Sequence, residues 1–212
     1  MYSDENQRTN IMKRTTLFIT SLVLITSVSF SQSKVNINNL SDYGGKMFKE
    51  NDDKPYTGIV FRLSEKTGNK ILNYEMVNGL MNGRYETFYE NGQIEKEGTW
   101  KDEKQDGVWT NWYRNGQKKN IGTFKYGIEN GLFIRWDENG QKEIEGTYKN
   151  GKKDGLGYSW YGNGKKKFEG TFKDGKPDKL YTEWYQNGRK KVEGTLKYGK
   201  QDGVWTNWYE NG

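Results

Sequence analysis

An Asn-Gly pair recurs at a fixed interval of 24 residues along the C-terminal part of this 212-residue chain. The pairs begin at Asn91, Asn115, Asn139, Asn163, Asn187 and Asn211. A constant period of this length is typical of repeat arrays, in which each unit packs mainly against its neighbours. We number the positions of each unit from the Asn of the pair, so that Asn91 occupies position 1.

Other positions of the unit are equally regular. Thr always occupies position 9 and Lys always occupies position 11. The segment Lys104 to Tyr113 recurs identically as Lys200 to Tyr209, which indicates duplication. Position 8 is always Gly and position 22 is always Trp, which gives Gly98, Gly122, Gly146, Gly170 and Gly194, and Trp112, Trp136, Trp160, Trp184 and Trp208.

The pattern predicts a β-hairpin for each unit. Asn-Gly is the preferred pair for a type I′ turn, in which both central residues have positive φ. A second turn is predicted at positions 12 and 13, as in Asn150-Gly151, and the strands are predicted at positions 3–11 and 18–23. Asp-Gly at positions 16 and 17 is expected to kink the entry to the second strand.

Alternation along the predicted strands separates two faces of the sheet. Even positions carry the Gly at 8, an apolar residue at 10, Val or Leu at 18 and the Trp at 22, so we expect this face to fold the protein, with Trp at 22 lying over Gly at 8. Odd positions are more polar. Because only 32% of residues are hydrophobic, a second packed layer is not expected. The predicted fold is therefore all-β, an elongated single-layer antiparallel sheet of stacked hairpins.

The N-terminal segment resembles a secretory signal peptide. Met12-Lys13-Arg14 precedes an apolar stretch from Leu17 to Val28, and small residues precede a plausible cleavage site before Gln32. We expect translation to begin at Met12 and the protein to be exported to the periplasm, the cell surface or the medium. The chain is also expected to continue past Gly212. The predicted organisation is an extension and signal peptide at 1–31, a linker at 32–42, degenerate repeats at 43–90 and regular repeats at 91–212.

The unit from Asn139 to Gly162 resembles the variant MORN repeat, and the chain is similar to bacterial YwqK-type antitoxins over about residues 43–212. The segment Lys54-Pro55-Tyr56-Thr57-Gly58 resembles the first repeat of those proteins. The resemblance implies an elongated β-sheet used for binding or scaffolding. The antitoxin likeness implies a partner toxin that the protein neutralises.

Catalysis is not expected. The chain contains no His and no Cys, which excludes disulfides, thiolate nucleophiles, Ser-His-Asp triads and His/Cys zinc sites. The recurring Glu at position 7 is unlike a catalytic pair, which requires one environment that separates two pKa values. We predict no enzyme activity, no cofactor and no metal site.

The candidate binding residues are aromatic side chains predicted on the more polar face, at positions 19 and 23. Such rows suit peptide chains, sugar rings or lipid headgroups, although pairing across strands would also explain them. The residues are Trp109, Phe133, Tyr181 and Trp205 at position 19, and Tyr113, Tyr161, Tyr185 and Tyr209 at position 23.

Three kinds of partner remain open at this stage. A protein or envelope component is the first, a toxin is the second, and a wall polysaccharide or anionic membrane surface is the third. The net charge of +6 and the lysine clusters are compatible with an anionic surface, but interspersed Lys and Glu are also typical of a solvated face. Nucleic acid is not expected for an exported protein.

Overall fold

The computed structural model describes residues 32–211. The predicted signal peptide lies outside the described residues. The strands are β1 Lys34–Asn36, β2 Leu40–Tyr43, β3 Lys46–Lys49, β4 Gly58–Leu63, β5 Lys70–Val77, β6 Leu80–Phe88, β7 Ile94–Lys101, β8 Lys104–Trp112, β9 Lys118–Lys125, β10 Ile128–Trp136, β11 Lys142–Lys149, β12 Lys152–Trp160, β13 Lys166–Lys173, β14 Lys176–Trp184, β15 Lys190–Lys197 and β16 Lys200–Asn207.

Fourteen of these strands form one open sheet in the order β1-β4-β5 and then consecutively to β16. Each consecutive pair from β4 onward is antiparallel, whereas β1 pairs with β4 in parallel. The strands β2 and β3 form a separate hairpin. The predicted all-β hairpin sheet is confirmed. Within residues 32–211 the helical structure is a single 3-10 turn, Ile37–Asn39, and no helix is long and apolar enough to span a membrane.

A small hydrophobic core lies at the N-terminal end of the sheet. Val35, Tyr56, Val60, Leu72, Tyr74 and Met76 are buried together, and side chains from the 3-10 turn, β2, β3 and β6 pack against them. The Tyr56 hydroxyl donates to the Ser33 carbonyl at 2.6 Å and so ties the start of β1 to this core. Residues 32–42, predicted as a linker, therefore form part of a folded N-terminal cap instead.

The type I′ turn of each unit lies at positions 12 and 13 and not, as predicted, at the Asn-Gly pair. At positions 12 and 13 both residues have positive φ, as in Asn150 (51°) and Gly151 (77°), which is the type I′ geometry. At the Asn-Gly pair only the Gly has positive φ, for example 85° at Gly92. There the Gly92 N–H donates to the Tyr89 carbonyl and the Tyr89 N–H donates to the Gln93 carbonyl, which closes a three-residue loop. The prediction of type I′ turns at Asn-Gly is therefore wrong.

The second strand of each unit begins earlier than predicted, at position 14. Two residues at the type I′ turn are enough to reverse the chain, so Lys101 pairs with Lys104 directly across it. The predicted kink lies inside this strand: Gly107 has a φ of 74°, and the pairing register shifts between Glu97 and Thr99 on the facing strand. The shift is a β-bulge that brings Trp109 opposite Gly98.

The predicted division into faces is correct for the first strand of each unit and wrong for the second. A two-residue turn pairs an odd position with an even one, so directly opposite residues differ in parity while sharing a face. Face A consists of positions 6, 8, 10, 19 and 21, and face B consists of positions 7, 9, 11, 18, 20 and 22. Val at position 18, predicted in the core, is 57% exposed at Val108 and 85% exposed at Val204, both on face B.

Candidate binding surfaces

Face A carries a ladder of aromatic rings that lie over strand glycines. The Trp109 side chain is 1% exposed, and a Cβ added to Gly98 would come within 2.2 Å of its ring. Its ring centroid lies 5.4 Å from Trp100 and 5.6 Å from Tyr85. The Trp109 indole N–H also donates to the Thr99 carbonyl at 3.2 Å. This residue was predicted on the wetter side as a ligand contact, but it is buried in the protein's own packing.

The Trp at position 22 does not lie over the glycine at position 8, as had been predicted. It lies on face B. Its main chain pairs across the three-residue Asn-Gly loop with the Lys at position 4 of the following unit, while its ring lies near the Lys at position 4 of its own unit. The Lys142 ammonium lies 5.3 Å from the Trp160 ring centroid, and Lys166 has the same distance to Trp184. These are cation–π distances. All five of these tryptophans are half-buried.

The tyrosines at position 23 connect successive units along the edge that carries the Asn-Gly loops. In three of the four, the hydroxyl donates to the main-chain carbonyl of the Trp in the next unit, as from Tyr113 to Trp136 at 2.9 Å and from Tyr161 to Trp184 at 2.7 Å. The side-chain amide of Asn115 donates in parallel to the Glu138 carbonyl at 2.8 Å. Tyr113, Tyr161 and Tyr185 therefore have an internal structural role, whereas Tyr209 is 83% exposed.

Face B carries a band of small apolar groups across nine adjacent strands. The aliphatic residue at position 18 lies directly opposite the Thr at position 9 of the following strand, as in Val108 with Thr123 and Leu132 with Thr147. At a strand spacing of about 4.8 Å the band is roughly 40 Å long. We call this set the aliphatic–threonine band; it consists of Val108, Thr123, Leu132, Thr147, Leu156, Thr171, Leu180, Thr195 and Val204.

The threonines in the band use their hydroxyls internally. Thr123 donates to the Leu132 carbonyl at 3.2 Å, and Thr147 donates to the Asp154 carbonyl. The methyl group is then the part of each threonine without a polar partner. Leu132 and Leu156 are 41% and 45% exposed beside them. A continuous apolar strip on one face of a single-layer sheet is typical of an interaction surface.

Charged side chains border the band on both sides. Toward the Asn-Gly loops, Glu145 pairs with Lys142 at 2.6 Å, and the same pair recurs in other units. Toward the type I′ turns, Lys149 and Lys152 lie directly opposite one another, an arrangement of like charges that costs stability. The Lys173 ammonium donates to Asp154 at 3.1 Å and lowers the pKa of that carboxyl. This border places exposed ammonium groups beside the band.

The remaining position-19 residues lie on face A and are half-buried. Phe133 contacts Tyr148, and Tyr181 contacts Trp205, with centroids 5.9 Å and 5.4 Å apart. Burial and a hydrogen bond to the Glu183 carboxylate raise the pKa of Tyr181 to about 12. Their role as ligand contacts stays a prediction. The exposed residues at position 18 were missed because they had been placed in the core.

The chain is a β-hairpin repeat protein with an open sheet. A family model described as the MORN repeat variant matches residues 81–102, 105–126, 129–150 and 153–174. Each matched stretch begins after a type I′ turn and contains one Asn-Gly loop, so the family unit is offset by half a repeat from the positions used here. No curated protein matches the chain. Within residues 32–211 there is no group of three acidic side chains placed to hold a metal ion.

Proposed function

We propose that this protein is a non-catalytic, exported scaffold that binds another protein across the aliphatic–threonine band. The observation that supports the proposal is the exposure of the band: Val108 and Leu132 are 57% and 41% exposed although they lie mid-strand, and no second layer within residues 32–211 covers them. Exposed aliphatic side chains at mid-strand are costly to hydrate, and burying the exposed half of each against a partner stabilises a complex by about 1 kcal/mol.

The charge around the band favours a partner of particular chemistry. The lysine pairs beside the type I′ turns, such as Lys149 and Lys152, are exposed and oppose like charge. An acidic group on the partner would relieve that repulsion, so we infer a partner surface with an apolar centre and an acidic border. Charges at such a border chiefly raise the association rate and the salt dependence, and the apolar contacts supply most of the affinity.

The experiment compares two double variants of equal chemistry. Val108→Lys with Leu132→Lys places charge in the band, whereas Leu63→Lys with Val77→Lys places it at sites that are similarly exposed, at 43% and 49%, but lie outside the band. Mature protein is crosslinked to envelope fractions of its own cell, and the captured protein is then purified and its affinity measured. We expect at least a tenfold loss for the band variant and none for the control. Equal affinity for both variants would refute docking on the band.

Because the chain resembles YwqK-type antitoxins, we propose a toxin as the protein that binds the band. This reading is tested by co-expressing the mature chain with the product of each neighbouring gene and measuring growth. Rescue that requires the unmodified band would identify the protein as an immunity factor. Pelleting with purified wall glycan or with anionic vesicles, unaffected by the band substitutions, would instead favour envelope binding and count against a protein partner.

A further inference from the structure

The aromatic ladder on face A has one missing ring, at Gly157. Position 19 is aromatic in the other regular units, but in this unit it is glycine. Gly157 pairs directly with Gly146 on one side and with Gly170 on the other. Three adjacent strands therefore meet at glycines. The Phe172 ring lies against Gly157 and the Phe168 ring against Gly170, but no side-chain atom lies within 4 Å of a Cβ added to Gly146, whose main chain forms the floor of a gap.

A cavity lies over this floor. Its volume is about 130 Å³, and its walls are mainly the apolar side chains of Ile144, Tyr148, Phe168 and Phe172. A Cβ added to Gly146 would meet no atom closer than 3.7 Å, whereas one added to Gly98 would come within 2.2 Å of Trp109. Gly146 thus has unfilled space directly above its main chain, at the place where Gly98 is covered by an indole.

Two other units of the chain show that an indole ring fits over the glycine at position 8. Trp109 covers Gly98 and donates its indole N–H to the Thr99 carbonyl, and Trp205 covers Gly194 and donates to the Thr195 carbonyl at 3.0 Å. In the unit that has Gly157, the corresponding groups are Gly146 and the Thr147 carbonyl. Both parts of an indole site are therefore present in this unit, and only the indole is missing from it.

We propose that the cavity is a binding site for a tryptophan side chain of a partner polypeptide. The six-membered part of the ring lies on Gly146 between Tyr148 and Phe172, and the indole N–H donates to the Thr147 carbonyl. Apolar cavities of about 150 Å³ accept benzene, so this volume suits one aromatic ring. The Lys153 ammonium, 5.2 Å from the Phe172 ring centroid, lies beside the cavity and favours an electron-rich ring.

The probe for this site is N-acetyl-tryptophanamide, titrated into the mature protein and followed by amide chemical shifts in NMR spectra. We expect saturable shifts centred on Gly146, Thr147 and Gly157, with a dissociation constant on the order of 1 mM, as suits a single side chain. N-acetyl-phenylalaninamide, which lacks the ring N–H, should bind at least threefold more weakly. Shifts scattered over the sheet, or equal affinity for the two probes, would overturn the assignment.

Two variants add an independent readout. Gly157→Trp supplies the missing ring within the chain, so it should abolish probe binding and raise the thermal midpoint. The Phe172 ring has to move aside in this variant, because the new Cβ lies 2.9 Å from it. Gly162→Trp adds the same side chain in a loop where a Cβ meets nothing within 4 Å, so it should leave probe binding unchanged. Probe binding that persists in folded Gly157→Trp protein would refute the site.

The cavity lies on face A and the aliphatic–threonine band lies on face B. Loss of probe binding and loss of partner capture are therefore separate results. If the indole probe fails to bind while the band variants still lose the captured protein, the scaffold function stands without this site. If the probe binds as expected while both double variants capture the protein equally, the tryptophan site stands and docking on the band is refuted.

Discussion

Trp109 and Trp205 provide a matched pair for testing how the ladder stabilises the sheet. Both lie in the identical ten-residue segment, both cover a glycine, and both donate an indole N–H to a Thr carbonyl. They differ in their surroundings, because Trp109 lies between two paired strands and is 1% exposed, whereas Trp205 lies on β16 and is only half-buried. Replacing each by Ala therefore varies the burial while keeping the local sequence constant.

The Trp109→Ala substitution should lower the free energy of unfolding by about 3–5 kcal/mol, the range for truncating a fully buried aromatic residue. It removes ring contacts with Trp100 and Tyr85 and leaves the Thr99 carbonyl without its donor. Trp205→Ala should cost about 1–2 kcal/mol, because water already reaches that ring and fills the space that it leaves. For a domain of this size, Trp109→Ala corresponds to a fall of roughly 10 °C in the thermal midpoint.

The assay is urea unfolding followed by far-UV circular dichroism, with both variants and the parent protein measured in parallel. Because repeat arrays lose stability locally, the midpoint of the transition is compared together with its slope. Equal midpoints for the two variants would show that burial in the ladder does not determine stability. Unchanged midpoints in both would show that the rings are surface contacts, as the face pattern alone had predicted.

Three further changes test other features. Tyr126 has a φ of 52° at a type I′ turn where another unit has Asn150, so Tyr126→Asn should stabilise the protein by about 0.5–1 kcal/mol in the same urea assay, and a loss of stability would contradict the strain. Tyr113→Phe removes the hydrogen bond to the Trp136 carbonyl and should lower the free energy of unfolding by about 0.5–1.5 kcal/mol; an unchanged value would show that this bond does not stabilise the junction between units. The pKa of Tyr181 is raised to about 12 in the folded state, so the folded protein keeps a proton that the unfolded chain loses near pH 10. The free energy of unfolding should therefore fall between pH 10 and pH 12. Tyr181→Phe should make that fall shallower, and an unchanged pH profile would refute the linkage.

The existence and period of the hairpins could be predicted from the sequence because glycine, threonine and tryptophan recur at fixed positions. The types of the two turns in each unit could not be predicted in this way. Asn-Gly is locally suited to a type I′ turn, but Asn115 uses its side-chain amide to reach the Glu138 carbonyl in the next Asn-Gly loop. That contact spans a whole repeat, so no local pattern contains it. Tyr126, a poor residue for positive φ, occupies the type I′ turn instead.

The faces could be predicted only in part, for a geometric reason. Alternation is reliable along one strand, and Gly98 and Trp100 do share a face. A turn of two residues exchanges the odd and even positions between the faces, so the rule for the first strand fails on the second. It therefore predicted Val108 in the core and Trp109 on the exposed face, the reverse of what the structure shows. Gly157 could have been singled out from the sequence, since it interrupts an otherwise aromatic position. That the interruption forms a cavity depends on its pairing with two other glycines across the sheet.

The tyrosine hydrogen bonds at position 23 have a consequence for how such a gene can vary. In each bond the donor belongs to one unit and the acceptor to the next, as from Tyr185 to Trp208 at 2.9 Å. Insertion or loss of a whole unit re-forms the same bond with a new neighbour, whereas an indel of any other length breaks it. The length of the sheet can thus change in steps of two strands, about 10 Å each, when recombination adds or removes a unit, and the contacts between units stay the same.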